Sequence, residues 1–232
     1  MIEASEVKPV GGKKPAGSPL FPYVIFDMDG TLVDTFELIA DSYDFAVGTL
    51  PNKQLSGRRV SSTQGRTLEE ALAEWVPLSD VPQAFERFHN YFERNFNASA
   101  FPGIRALLVG LRRRGVELAI FTGQTRKATQ ITLQNTELVS FFSKIVTADD
   151  VTEPKPSPEG LKLVLEGIRA DPDRAVYVGD DPDDINASRR AGVKTAAALW
   201  GSIRREELLA LQPDFTFGQP TQVQLLSSWT LR

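Results

Sequence analysis

Five short, largely apolar runs set the strongest constraint on how this chain can fold: Tyr23–Phe26, Val116–Phe121, Lys144–Thr147, Ala175–Val178 and Val193–Leu199. Runs of this length, without strict polar alternation, read as strands covered on both faces. Helical spacing fills the gaps between them. Ile104, Leu107, Leu108 and Leu111 fall at i, i+3, i+4 and i+7, and the segment from Pro158 to Ile168 opens with Ser157 as N-cap and proline at the first helical position. Strands alternating with helices of this size predict parallel βαβ units, an open sheet with helices on both faces.

The alternation stops between about residues 34 and 100. That stretch reads as helix throughout: Phe36, Ile39, Tyr43 and Val47, then Leu68–Trp75, then Phe85, Phe88, Phe92 and Phe96. The last four keep three- and four-residue spacing, which makes a stripe packed against neighbouring helices. At 232 residues the chain is long for one minimal core and short for two full domains. The expected organisation is therefore an α/β core, 21–34 and 101–232, with an all-helical insert at 35–100 after the first strand. Residues 1–20 carry Pro9, Gly11, Gly12, Pro15, Gly17 and Pro19 with three lysines, and read as a flexible tail.

Composition narrows the chemistry. There is no cysteine and one histidine, His89, which removes disulfides, thiolate metal sites and cysteine nucleophiles and leaves little for a Ser-His-Asp triad or a histidine-rich zinc site. His89 itself reads as a surface or packing residue. The net charge of −4 argues against a dedicated nucleic-acid surface. No run of about 18 apolar residues exists to span a membrane, and no secretory leader pattern opens the chain. A cytoplasmic protein with neither nucleic-acid nor membrane partners is the expectation.

Ligands of open parallel sheets bind beyond the carboxyl ends of the strands, so the residues following each run matter most. They are Asp27-Met28-Asp29-Gly30-Thr31; Thr122-Gly123; a loop with Lys155; and Gly179-Asp180-Asp181-Pro182-Asp183-Asp184. One sheet edge then gathers a carboxylate pair, a hydroxyl, a lysine and an acid cluster. Asp181-Pro182 alone reads as a helix N-cap followed by proline. Yet unit charges about 4 Å apart repel by roughly 4 kcal/mol at an effective dielectric of about 20, so this many carboxylates call for a cation. Oxygen-only donors favour Mg²⁺, which accepts carboxylates, waters and a substrate phosphate oxygen. A cation, a lysine and a free carboxylate together fit phosphoryl transfer: a carboxylate can attack a phosphate once the repulsion is relieved. A second carboxyl two residues on can then serve as acid and base.

Asp27-Met28-Asp29-Gly30-Thr31-Leu32-Val33-Asp34, Thr122, Lys155 and Gly179–Asp184 resemble, in order and spacing, the four signature motifs of the haloacid-dehalogenase superfamily, over about residues 22 to 218. The insert resembles the helical cap of its phosphoglycolate-phosphatase-like branch. The resemblance implies a Rossmann-like core, Asp27 as nucleophile, and Asp29 as general acid/base whose backbone carbonyl also ligates Mg²⁺. It implies that Thr122 bonds the phosphoryl oxygens, that Lys155 neutralises them and Asp27, and that Asp180 and Asp184 hold the ion or its waters. Backbone around Gly30 and Gly123 would donate to the phosphate. Asp181 stands where relatives often have serine, leaving open whether it meets the metal or caps the helix. In this branch a cap loop selects the leaving group; here Ser56–Thr67 is the candidate, with Arg66 as the contact to an anionic leaving group and Arg126, just after Thr122, as a second one. Cap and core are joined by two crossings, near Asp34–Thr35 and Ala100–Pro102, about which closure would exclude water. Trp200-Gly201 reads as structural, although it ends near the same sheet edge.

The expected activity is Mg²⁺-dependent hydrolysis of a small phosphorylated metabolite, phosphoglycolate-like on resemblance, by a monomer or weak homodimer. A phosphomutase of the β-phosphoglucomutase type and an inorganic pyrophosphatase are the enzyme alternatives. A phosphorylatable receiver module is the non-enzyme one, disfavoured because its phosphoacceptor would end a later strand.

Overall fold

The computed structural model describes residues 19–48 and 66–227. The proposed tail up to residue 18 and the candidate loop from Ser56 to residue 65 lie outside them. A six-stranded parallel sheet forms the centre: β1 (Tyr23–Phe26), β4 (Glu117–Phe121), β5 (Lys144–Val146), β6 (Ala175–Gly179), β7 (Lys194–Ala198) and β8 (Phe215–Phe217). Its spatial order is β5-β4-β1-β6-β7-β8. The first strand in sequence is thus central, with Phe26 opposite Ile120 on one side and Val178 on the other. Each expected run forms a strand to within one residue at either end: Val116, Thr147, Val193 and Leu199 fall just outside, and Gly179 extends β6; β8 has no counterpart among the runs.

Helices α4 (Ile104–Arg113), α5 (Arg126–Asn135), α6 (Glu159–Ile168), α7 (Pro182–Ala191) and α8 (Arg205–Ala210) connect and cover the strands. The four apolar residues that marked α4 are all fully buried. Helix α6 starts one residue later than expected, because Pro158 rather than Ser157 takes the cap position. The start of α7 is built as its sequence reads. Asp181 accepts from the Asp183 N–H at 2.9 Å, Asp184 reaches back to the Asp181 N–H at 3.0 Å, and Pro182 fills the first turn.

Between β1 and α4 lie α1 (Phe36–Ala46), α2 (Leu68–Ala73) and α3 (Val81–Arg94). They share an apolar cluster in which Phe88 and Phe92 are buried, so the phenylalanine stripe is packing. Two short antiparallel strands, β2 (Val33–Asp34) and β3 (Ser99–Ala100), tie the entry and exit of this segment together. The cluster extends onto Ala128 and Ile131 of α5. His89, contrary to a surface reading, is buried at that junction, with Nδ1 3.0 Å from the Phe85 carbonyl and Nε2 2.7 Å from the Thr125 hydroxyl. Among the described residues no helix is long and apolar enough to cross a membrane.

Candidate active site

All four groups of expected residues meet at the carboxyl edge of the sheet. Asp27 follows the last residue of β1, its N–H bonded to the Val178 carbonyl at 2.8 Å. Asp180 follows β6, and Asp184 lies one turn into α7, its buried side chain lodged beneath the β6–α7 turn. Lys155 reaches in from the loop before α6 and bonds Asp27 Oδ1 at 2.6 Å and Asp184 Oδ1 at 2.8 Å. Its ammonium also stands 5.0 Å from the Phe121 ring centre and 5.4 Å from that of Tyr177, an aromatic floor that suits a cation. Oxygens of Asp27, Asp180 and Asp184 come within 4.8 Å of one another, all three side chains buried.

The electrostatics follow from burial. Desolvation raises the Asp27 carboxyl above its ordinary range. The charge of Lys155 opposes that rise, and Asp184 and Asp29 add to it. Asp180 is raised well above the usual carboxylate value, again by burial first and then by Asp27 and Asp184. Burial alone works to lower Lys155, yet Asp184 and Asp27 together outweigh it and raise its pKa. Three converging carboxylates share one ammonium, a donor set of hard oxygens still short of positive charge. Such a set fits Mg²⁺.

Asp29 stands apart from the triad. Its Oδ1 accepts from the Thr35 hydroxyl at 2.5 Å, and the nearby side chains of Gln124 and Thr122 also favour its charged form. Burial raises it to about 6 against these donors. A carboxyl poised near neutrality beside an ionisable pair suits acid and base work in turn. Any metal contact from Asp29 would come through its backbone carbonyl, since the side chain is engaged elsewhere. Thr122 is buried at the end of β4, where its Oγ1 accepts from the Gln124 N–H at 3.1 Å, leaving its own proton to donate.

The other expected residues divide. Gly123 and Arg66 line the cavity above the carboxylates. Arg66 is ion-paired with Glu74, and both side chains are about two-fifths exposed. Gly30 does not offer its amide to a ligand: its N–H donates to the Val33 carbonyl at 2.9 Å. Arg126 is also not placed as expected. Its guanidinium bonds Asp150 at 2.7 Å and its backbone N–H bonds Asp149, so it fastens the start of α5 to the loop after β5. Asp181 caps α7 and meets Arg204 at 3.4 Å; its carboxylate is not part of the triad.

Several participants were not picked out from sequence. The Thr31 hydroxyl donates to Asp180 Oδ1 at 2.7 Å. The buried Tyr177 hydroxyl lies 2.8 Å from the Phe121 carbonyl and 3.0 Å from Asp184 Oδ1, so one proton serves two acceptors. Phe36, Ile39, Tyr43 and Leu68 from the helical segment, and Ile203 from the core, wall the cavity. Thr31 sits inside the first motif and Gln124 two residues past Thr122, which is the signal that points to them.

A buried carboxylate at the end of a central parallel strand is bridged by lysine to an acid cluster at the end of the neighbouring strand, an aspartate-centred site on an α/β sheet. The chain belongs to the haloacid dehalogenase-like hydrolase family, whose model matches residues 24–198. Among curated relatives, pyrophosphatase PpaX of Bacillus pumilus is 34% identical over 194 residues, 83% of this chain and 89% of that protein. The PpaX of Oceanobacillus iheyensis is 31% identical over the same share of this chain and 90% of its own. In fold, the chain is similar to a predicted phosphoglycolate phosphatase from Haemophilus somnus, with a TM-score of 0.81, 22% identity and coverage of 90% and 99% of the two chains. It is also similar to CbbY from Rhodobacter sphaeroides in complex with phosphate, with a TM-score of 0.74, 22% identity and coverage of 88% and 96%.

Proposed function

We propose that this protein is a Mg²⁺-dependent phosphatase that hydrolyses a small phosphate monoester by way of an aspartyl-phosphate on Asp27. The observation that carries the reading is Lys155 bonding Asp27 and Asp184 at once, inside a carboxylate triad at the carboxyl edge of the sheet. Asp27, Asp180 and Asp184 would hold the ion, which supplies positive charge against the substrate phosphate and the attacking carboxylate.

Within that site an oxygen of Asp27 attacks phosphorus while Lys155 and the Thr122 hydroxyl balance charge on the phosphoryl oxygens. Asp29 in its protonated form gives its proton to the departing oxygen. Left ionised, it takes a proton from the water that cleaves the acyl phosphate, restoring Asp27 and releasing phosphate. Segment 35–100 acts as a cap over this edge, with Phe36, Ile39, Tyr43 and Leu68 presenting an apolar wall to the leaving group and Arg66 a cation. An organic leaving group bearing an acid, as in phosphoglycolate, suits that mixture.

A second reading, hydrolysis of inorganic pyrophosphate, is favoured by the PpaX name of the curated relatives. Phosphate release from a panel of monoesters and from pyrophosphate, with purified protein and Mg²⁺, separates the two by their kcat/KM. Trapping by acid quench of a phosphoryl group on Asp27 is expected with either substrate. Its absence under turnover, or transfer to a second organic molecule without phosphate release, would overturn the phosphatase reading.

A further inference from the structure

The turn that carries Asp27 and Asp29 is gripped from outside its own strand. Beyond β7 the chain turns back across the sheet edge, and the Trp200 indole N–H donates to the Thr31 carbonyl at 2.9 Å. The next residue lies directly on the turn: a Cβ added at Gly201 would stand 1.8 Å from the Gly30 carbonyl oxygen and 2.7 Å from its carbon. Gly201 does not have a positive φ. Its glycine is needed for the close approach of two backbones. On its other face the same turn meets a triad member. Thr31 donates to Asp180 at 2.7 Å, and a Cβ added at Gly30 would fall 2.3 Å from Asp180 Oδ2. The turn is therefore sandwiched between the Trp200–Gly201 backbone and the Asp180 carboxylate.

We propose that Trp200–Gly201 is a positioning element for the carboxylate triad, acting through Gly30 and Thr31 to fix Asp180 relative to Asp27. The inference rests on the reading of that triad as the Mg²⁺ site. Mg²⁺ demands near-ideal octahedral geometry at short range, so a small relative shift of two ligands is costly. Removing an outer partner of a ligand typically lowers metal affinity about 10- to 100-fold. Trp200 packs partly buried against the apolar core, where a phenyl ring would keep an aromatic contact while losing the donor and some packed volume.

The test is calorimetric titration of the substrate-free protein with Mg²⁺ alone, beside thermal unfolding of the metal-free form. Trp200→Phe is expected to weaken Mg²⁺ binding about tenfold while lowering the melting temperature by a few degrees, from loss of one hydrogen bond and some packed volume. Gly201→Ala is expected to lose more affinity; Trp200→Phe decides the matter because it introduces no clash. Val223→Ala, which trims a buried side chain of the same core cluster that does not line the cavity, supplies the control. It is expected to lower the melting temperature at least as much and leave Mg²⁺ affinity within about twofold. Equal Mg²⁺ affinity in Trp200→Phe and the parent, or equal weakening by Val223→Ala, would overturn the positioning role. A parent protein that takes up no Mg²⁺ overturns the metal reading itself.

Discussion

On the sheet side of the cavity, Lys155 holds Asp27 and Asp184, Thr31 holds Asp180, and Thr35 holds Asp29, each through a hydrogen bond of 2.5–2.8 Å. On the helical side stand Phe36, Ile39, Tyr43 and Leu68, with Arg66 ion-paired to a partly exposed Glu74. The first wall is over-determined: moving one group disturbs several others. The second is an apolar surface on α1 and the start of α2, backed by the helical cluster that Ile39, Tyr43 and Leu68 share but carrying no hydrogen-bonded carboxylate, so changing it alters the shape of the wall rather than the acid network. Under the proposed function, chemistry would belong to the hydrogen-bonded wall and substrate choice to the apolar one. Substitutions on the sheet side should lower kcat, whereas those on the helical side should raise KM for particular leaving groups.

The largest effect is expected from Asp27→Asn. The side chains are nearly isosteric and the strand that positions residue 27 is untouched, so the fold should persist while kcat falls by about 10⁴-fold or more. Substantial turnover in this variant, with melting behaviour like the parent's, would remove Asp27 from the nucleophile role. Asp29→Asn should cost about 10²- to 10⁴-fold. Rapid quench should show whether phosphate accumulates on Asp27, since a group used in both half-reactions slows whichever depends on it more.

Next in size comes the coupling between protons and metal. Burial raises Asp27 and Asp180, so the metal-free site retains protons that Mg²⁺ must displace. Mg²⁺ affinity should therefore climb with pH across the neutral range, by up to about tenfold per pH unit for each proton released. A flat profile by calorimetry would contradict protonated carboxyls in the resting site. The metal-free protein should show the reverse trend in stability. Asp29 is raised from 3.8 to about 6, so between those values the unfolded chain has released a proton that the folded chain keeps. Stability then declines as pH rises through that window. His89 works the other way, because burial lowers its pKa and acid favours the unfolded chain. The informative quantity is thus the difference between the parent and Asp29→Asn.

Much of this was legible in the chain because of how parallel sheets are made. Strands buried on both faces read as continuous apolar runs, and the residues that follow such runs must share one edge. That argument alone brings Asp27, Thr122, Lys155 and Asp180 together. What it cannot carry is a partnership without a local pattern. Thr31 and Asp180 are 149 positions apart, and Tyr177 meets Asp184 only because α7 folds back over β6. Arg126 shows the same limit from the other side. Proximity to Thr122 in sequence brought it forward, but the acids of the loop after β5 claim its guanidinium and its amide. Gly30 fell to turn geometry: with φ at +78° its N–H closes the turn onto Val33 and is unavailable to a ligand.

The smallest effects belong to the two arginines, and they sharpen the contrast between the walls. Arg66 can leave Glu74 at little cost, since exposed pairs are worth about 0–1 kcal/mol. A charge-assisted contact to a substrate anion is worth more, about 1.5–3 kcal/mol before solvent screening. Arg66→Ala should therefore raise KM about tenfold for pyrophosphate or for esters with an acidic leaving group. It should leave KM within about twofold for an ester whose leaving group is uncharged, with kcat little changed in both cases. Arg126→Ala is the matched control: it removes an equal charge one helix start away, with its guanidinium committed to Asp150. Its expected cost is about 0.5–1 kcal/mol of stability and no discrimination between leaving groups. If steady-state kinetics showed the leaving-group effect in Arg126→Ala and not in Arg66→Ala, substrate choice would belong to the sheet side after all, and the division of labour between the walls would fail.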